Sequence, residues 1–282
     1  MITTISRTHV PNLPSPERLL AFRDRLDADG FVIIPGFLDP ATTRELRSHI
    51  DALAGPVRRA DEPAPRRLHD LRHPLPGRIM GELVTPEHLL LARTLVDGDE
   101  LRLTEQVLIR TDPMPEAGGP SGWHIDFAFH PRHLSARPRQ TYIQMVHALS
   151  TVESGGGAVM VVPGSHHLMA AAAARLATGS ERFDAENQAA FKAEVTRAAA
   201  VDTSRGIEIH PCDGDLILFH PMCLHSASRN TRREARYVLF MSFFDVSATY
   251  LHDHLRREKY RDRFPESLHE QLPSDLRGLL EH

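Results

Sequence analysis

The sequence has little cysteine, little net charge and no long apolar run, and each shortage excludes a class of protein. Two cysteines among 282 residues, Cys212 and Cys223, argue against a disulfide framework and suit a reducing cytoplasm. A formal net charge of −4 provides no basic surface for nucleic acid. No run of about 18 apolar residues could span a membrane, and residues 1–10 lack the apolar core of a signal peptide. We therefore expect a cytoplasmic protein without nucleic-acid or membrane partners.

Histidine, by contrast, is abundant, and one histidine lies in a motif typical of metal sites. In His124-Ile125-Asp126, the first and third side chains of an extended strand point to the same side and can hold one metal ion. Two histidines and one carboxylate are the ligand set of non-haem Fe(II) oxygenases. The motif alone is weak evidence, because a chain with 18 histidines contains about one such pattern by chance.

The chain contains a second copy of this pattern, His49-Ile50-Asp51. It lies in residues 42–53, which are predicted to be helical. Positions two apart on a helix diverge by roughly 200° around the axis, so the two side chains cannot share one ion. We therefore reject this copy as a metal site.

Hydrophobic periodicity and turn residues predict helices at the start of the chain, followed by short strands. Helices are expected from Ser15 to Gly30, from Asp39 to about Leu53, and over Pro86–Val96. Strands are expected at Phe31–Ile34, Leu101–Ile109, Thr141–Leu149, Ala158–Val162, Ile207–Ile209, Leu216–Phe219 and Tyr237–Phe244. The stretch 58–78 is rich in Arg and Pro and is predicted to be a loop.

This order of elements predicts a mainly β fold with flanking helices. We expect one domain over residues 1–282, with a helical N-terminal region (14–100), a helical insertion (about 167–200) and a helical C-terminal tail (247–282). Short strands separated by turns indicate a double-stranded β-helix, the cupin-like jelly roll. Such a barrel gathers strand ends around one mouth, where metal ligands from distant parts of the chain can meet.

Four motifs together resemble the phytanoyl-CoA dioxygenase (PhyH) family. They are His124-x-Asp126, the turn phrase from Gly157 to His166, the phrase ending in His225, and an arginine eleven positions later, Arg236. The resemblance runs from about residue 30 to residue 244. It implies a jelly-roll enzyme that uses Fe(II), 2-oxoglutarate and O₂ to hydroxylate or otherwise oxidise an aliphatic C–H bond of a small molecule, with release of succinate and CO₂.

The resemblance assigns the metal-binding and catalytic roles to His124, Asp126 and His225, and it favours His225 over the nearby His220. It implies that Arg236 binds the distal carboxylate of 2-oxoglutarate, for which a guanidinium offers a planar bidentate fork. The alternative for Arg236 is a structural ion pair. Halogenating relatives lack the carboxylate that Asp126 provides, so the resemblance implies hydroxylation or a related oxidation.

Two further cosubstrate contacts are implied by positions in relatives. Gln106 matches a position that touches the cosubstrate, and Ser226, or alternatively Ser228, could donate to its distal carboxylate. The sequence departs from the family here, because Ala227 stands where relatives have Ser and Val146 stands where they favour Trp.

Two other functions remain open at this stage. A cupin-like metal enzyme that does not use 2-oxoglutarate is favoured if Arg236 faces away from the metal. A catalytically inactive ligand-binding module would not need to retain Fe(II). For the substrate we expect a small molecule, with an anionic group as one option. The arginines of the 58–78 loop could bind a carboxylate or phosphate, or could be solvated: Arg58, Arg59, Arg66, Arg67, Arg72 and Arg78.

Overall fold

The computed structural model describes residues 15–62, 67–72, 83–96, 98, 100–114, 122–127, 141–176, 188–246, 264 and 266–281. The strands in these ranges are β1 (Phe31–Ile34), β2 (Leu68–Arg72), β3 (Leu101–Thr111), β4 (Tyr142–Ala148), β5 (Val159–Val161), β6 (Ile207–Ile209), β7 (Leu216–Phe219), β8 (His225–Ala227) and β9 (Arg236–Asp245). The α-helices are α1 (Pro16–Asp29), α2 (Pro40–Ala54), α3 (Pro86–Val96), α4 (Ser165–Leu176), α5 (Gln188–Ala199) and α6 (Glu266–Gln271). Two short 3₁₀ helices cover Thr203–Arg205 and Arg277–Leu280.

The strands form two antiparallel sheets. The large sheet has six strands in the order β1-β7-β4-β9-β3-β2, and the small sheet has three in the order β6-β5-β8. Most neighbours in the large sheet are distant in sequence, as in a jelly roll. The mainly β prediction with flanking helices is confirmed. None of the helices in the described ranges is both long and apolar enough to cross a bilayer.

The two faces of the large sheet have different surroundings. On β4, Ile143 and Met145 belong to a core shared with α1, α2 and α3. Val146, on the opposite face, packs with Val159 and Val161 of the small sheet. The first face therefore lies under helices, and the second faces the interior between the sheets. Because side chains alternate along a strand, register decides which residues can reach that interior.

A β-bulge changes this register in β3. Leu103 is paired with Phe243, but the next pair is Glu105 with Ser242, which leaves Thr104 as the extra residue. Leu103 lies on the helix-covered face. Regular alternation would put Glu105 on the same face, but the bulge turns Glu105 to the interior and Gln106 to the helices.

The predicted helix boundaries agree with the structure. The side chain of Ser15 accepts a hydrogen bond from the backbone of Arg18 at the start of α1, and Gly30 ends this helix with φ 81°. Residues 49–51 lie within α2, which confirms that His49-x-Asp51 is not extended. The carboxylate of Asp51 instead binds the buried guanidinium of Arg110.

One expectation was wrong: the stretch 58–78 is not entirely a loop. Residues 68–72 form β2, which pairs with the end of β3 at the edge of the large sheet. The strand is short and bordered by Arg and Pro, so its pairing partner rather than its own pattern stabilises it. Residues 63–66 and 73–78 of this stretch lie outside the described ranges.

The expected helical excursion over about 167–200 contains α4 and α5, and residues 177–187 lie outside the described ranges. Of the C-terminal tail, α6 and the last 3₁₀ helix are described, whereas residues 247–263 are not.

Two buried histidines, His88 of α3 and His147 of β4, bind each other on the helix-covered face. Their Nε2 atoms are 2.9 Å apart. Nδ1 of His147 lies 3.3 Å from the carbonyl oxygen of Leu239 and donates to it, so Nε2 of His147 accepts from His88. Nδ1 of His88 then accepts from the Thr85 hydroxyl at 3.0 Å. Burial lowers the pKa of His88 well below its usual value and the pKa of His147 to about 4.

We predict that this pair makes the fold sensitive to acid. As pH falls from 6.5 towards about 4, the unfolded chain protonates both histidines while the folded chain keeps them neutral, so the free energy of unfolding decreases. The slope is at most about 1.4 kcal/mol per pH unit for each histidine. Denaturant titrations over this range should give a shallower slope for the His88→Leu/His147→Leu double variant. The exposed control His210→Gln should keep the wild-type slope. An unchanged slope in the double variant would contradict the prediction.

Candidate metal centre

The main chain brings the two proposed histidine ligands together. The backbone N–H of His124 donates to the carbonyl of His225 at 2.9 Å, and the N–H of His225 donates back to His124 at 3.0 Å. This isolated antiparallel bridge joins residues 122–127, which we call the metal loop, to β8. Asp126 is held by a bond from its N–H to the carbonyl of Pro221 at 2.9 Å. One ligand atom from each of His124, Asp126 and His225 lies within 4.8 Å of the other two.

Both imidazoles are oriented by backbone carbonyls. Nδ1 of His124 lies 3.0 Å from the oxygen of Gly122, and Nδ1 of His225 lies 2.9 Å from the oxygen of Cys223. Because a carbonyl only accepts, Nδ1 carries the proton in each ring and leaves the Nε2 lone pair for a metal. The Nε2 atoms lie 3.8 Å and 3.3 Å from the carboxylate of Asp126. Two imidazole nitrogens and one carboxylate on one face fit a non-haem Fe(II) site.

The electrostatics of the centre favour a cation. Burial alone would lower the pKa of His225, but the neighbouring carboxylate of Asp126 outweighs it and raises that pKa. His225 is nearly covered, whereas more than half of the His124 side chain is exposed. The Asp126 carboxylate therefore stabilises positive charge in this centre, and the exposed side of His124 leaves a route for ligands.

Apolar packing fixes the metal loop from the side opposite the ligands. Ile125 and Phe127, which flank Asp126, are buried in a core with residues of α4 and α5, including Met169 and Val195. From α5, the ammonium of Lys192 donates to the backbone oxygen of Asp126 at 3.0 Å. The helical excursion thus holds the carboxylate ligand in place. Sequence reasoning missed Lys192, because nothing in the helix pattern shows where α5 docks.

Arg236 lies at the start of β9 on the interior face. Its guanidinium donates to the carbonyl of Gly157 at 2.5 Å, in the turn before the strand that pairs with His225. Burial lowers the pKa of Arg236 to about 10. Within the described ranges, no carboxylate forms an ion pair with it. The structural ion pair considered as the alternative for Arg236 is thus not observed in this part of the chain.

The two secondary contacts implied by the resemblance are not brought to the metal centre. Gln106 lies on the helix-covered face because of the bulge at Thr104, and its amide lies 3.9 Å from the sulfur of Met241. Ser226 is paired with Met160, one position out of phase with His225 in β8, so its side chain points to the other face of the small sheet.

Three other residues considered from the sequence, His220, Arg67 and Arg59, make hydrogen bonds or ion pairs with nearby parts of the chain. His220 accepts from the backbone N–H of Met222 through Nδ1 in the turn before β8. The guanidinium of Arg67 donates to the backbone carbonyls of four residues and so fixes the chain locally: Arg59, Ala60, Glu62 and Pro113. Arg59 pairs with Asp61 at the surface. Arg66, Arg78 and the side chain of Arg72 lie outside the described ranges.

A family model described as Phytanoyl-CoA dioxygenase (PhyH) matches residues 26–238. A search of curated protein sequences finds no match.

Solved structures of three enzymes have the same fold. The epimerase SnoN, in complex with Fe³⁺, alpha ketoglutarate and nogalamycin RO, is 23% identical, with a TM-score of 0.57 over 82% of this chain and 85% of its own. EvdO2 from Micromonospora carbonacea var. aurantiaca, complexed with 2-oxoglutarate, is 19% identical, with a TM-score of 0.53 over 80% and 90%. The non-heme alpha ketoglutarate dependent carbocyclase SnoK from nogalamycin biosynthesis is 19% identical, with a TM-score of 0.54 over 84% and 86%. The predicted cupin-like jelly roll is confirmed.

We predict that Gly206→Ala weakens metal binding. A Cβ at Gly206 would overlap the indole of Trp123, the residue before His124. Displacing this ring should disturb the metal loop and lower the affinity for Ni²⁺ about tenfold, as changes behind metal ligands commonly do. Trp123 is the only tryptophan, so its fluorescence reports the displacement directly.

The matched control is Gly122→Ala, where an added Cβ meets nothing within 4 Å. Titration of both variants with Ni²⁺ should separate them. Equal affinities would show that the contact between Trp123 and Gly206 does not position the ligands.

Proposed function

The chain belongs to the phytanoyl-CoA dioxygenase (PhyH) family, and from this premise we propose that it is an Fe(II)- and 2-oxoglutarate-dependent dioxygenase. It oxidises an aliphatic C–H bond of a small molecule, with hydroxylation as the outcome. The convergence of His124, Asp126 and His225 within 4.8 Å carries the proposal.

The donor set fits the metal. His124, Asp126 and His225 would hold Fe(II) through two Nε2 atoms and one carboxylate, and the carbonyls of Gly122 and Cys223 keep both rings in the required tautomer. When bound, Fe(II) with 2-oxoglutarate supplies the oxidation of a C–H bond by O₂, with release of succinate and CO₂. The apolar core behind Ile125 and Phe127 keeps water away from the rear of the centre.

Arg236 would anchor the distal carboxylate of 2-oxoglutarate. A buried guanidinium that donates to one carbonyl and has no described carboxylate partner retains donors for an anion. Its place on the interior face, beside the turn that leads to the strand paired with His225, favours a cosubstrate role. This placement counts against the cupin-like alternative that does not use 2-oxoglutarate.

The ligand set supports hydroxylation as the proposed reaction outcome. Asp126 provides the carboxylate that a halogenating site would lack, so hydroxylation is the expected oxidation. The structures compared above include an epimerase in complex with nogalamycin RO and a carbocyclase from nogalamycin biosynthesis. We therefore propose a small-molecule substrate of similar size for this chain.

We predict that the protein releases succinate only when Fe(II) and 2-oxoglutarate are both supplied. Asp126→Ala should abolish this release, because the centre loses its one carboxylate ligand and the negative charge that favours the cation. A screen of small molecules, followed by succinate formation, is the measurement. Turnover at the wild-type level in Asp126→Ala would overturn the metal assignment.

We predict that Arg236→Gln raises the KM for 2-oxoglutarate about tenfold or more, because a charged hydrogen bond to the carboxylate is lost. The matched control is Arg232→Gln, which removes a half-exposed arginine nearby that pairs with Glu153. Arg232→Gln should leave KM unchanged. A normal KM for 2-oxoglutarate in Arg236→Gln would favour the alternative function, a cupin-like metal enzyme that does not use 2-oxoglutarate.

A further inference from the structure

A row of polar side chains crosses the interior face of the large sheet. Glu105 of β3 is paired with Ser242 of β9, and Ser242 is paired with Gln144 of β4. We call these three residues the interior row. All three are more than nine-tenths buried. The pairs at the next level of the same face are apolar: Val107 with Phe240, Phe240 with Val146, and Val146 with Ile217.

The interior row lies beside the metal centre. Gln144 is paired on its other side with Phe219, whose ring lies 4.9 Å from the ring of His225. At the other end of the row, the hydroxyl of Tyr142 donates to Glu105, and the Tyr142 ring lies 6.1 Å from Phe127. Phe127 directly follows Asp126. At one end, Phe219 lies between the row and the ligand His225, and at the other end, Tyr142 lies between the row and Phe127 of the metal loop.

The row presents hydrogen-bond acceptors. Oε1 of Glu105 accepts from the hydroxyls of Tyr142 and Ser242, each at 3.2 Å, so these two donors are already used. Oε1 of Gln144 is buried and has no hydrogen-bond partner among the described residues. A buried acceptor without a donor is costly, and folded proteins retain few of them. The vacant acceptor lies on the interior face of the sheet, beside Phe219, whose ring contacts that of His225.

We propose that the interior row is the substrate-recognition site and that it takes a hydrogen-bond donor group, a hydroxyl or an amine, on the substrate. The proposal rests on the proposed function and names the substrate class of that same site. It differs from the anionic substrate suggested by the arginines of residues 58–78, of which Arg67 already donates to backbone carbonyls. A buried amide oxygen without a donor binds a hydroxyl or an amine and offers no hydrogen bond to a carboxylate.

The test uses the full chain loaded with Ni²⁺ and 2-oxoglutarate, and three probes that share a six-carbon chain: hexylamine, 1-hexanol and hexanoate. Binding is followed by the fluorescence of Trp123, which adjoins the ligand His124. At least one donor probe should bind about tenfold more tightly than hexanoate. Glu105→Gln should remove the preference for the amine, and Gln144→Leu should weaken both donor probes.

The control variant is Gln106→Leu, which removes a side-chain amide from the neighbouring position on the opposite face. It should leave all three affinities unchanged. Ser242→Ala provides a second, smaller change in the row if Glu105→Gln does not fold. Hexanoate binding as tightly as both donors, or equal effects of Glu105→Gln and Gln106→Leu, would overturn the inference.

Equilibrium dialysis of 2-oxoglutarate distinguishes the two proposals. If 2-oxoglutarate does not bind the Ni²⁺-loaded chain, the proposed function fails. If it binds and the probes show no donor preference, the proposed function stands and only the substrate class is wrong.

Discussion

The metal centre depends on one pair of backbone hydrogen bonds, those exchanged by His124 and His225. They close an antiparallel bridge between segments that are far apart in the chain. Backbone geometry then sets the separation of the two imidazoles, and the carbonyls of Gly122 and Cys223 set their orientation. The ligands are thus arranged by the backbone pairing of the fold itself. Preorganisation of this kind reduces the cost of binding an ion.

The two sides of the metal loop have different surroundings. On the core side, Ile125 and Phe127 pack against the helical excursion, and Lys192 binds the backbone of Asp126. On the ligand side, the interior is mostly apolar, with a guanidinium at the start of β9 and a row of acceptors near its end. A cation and a carboxylate therefore occupy different levels of one strand pair.

Much of this could be predicted from the sequence, because local signals decide local structure. The side chains of Ser15 and Asp39 accept hydrogen bonds from backbone N–H groups two or three residues later, and Gly30 supplies a left-handed φ. Hydrophobic periodicity identified strands that are buried on both faces. The grouping of His124, Asp126 and His225 could be predicted because these residue types occur in a known metal-binding motif. Contacts that depend on how elements dock could not be predicted. The position of α5, and with it Lys192, is set by packing against the metal loop. Strand β2 is stabilised by pairing with β3, and the sequence of residues 68–72 does not show that β3 will be its partner.

The placement of Gln106 on the helix-covered face could not be predicted for a related reason: the face on which a side chain lies depends on register, and the bulge at Thr104 shifts the register by one residue. This feature lets β3 change in length at one position without changing which side chains face the interior. If Thr104 were deleted, Glu105 would follow Leu103 directly and would still be paired with Ser242, so Gln106, Leu108 and Arg110 would stay under the helices. A one-codon deletion at the bulge is therefore expected to preserve the interior face, whereas the same deletion in a regular strand would exchange every inward and outward position after it.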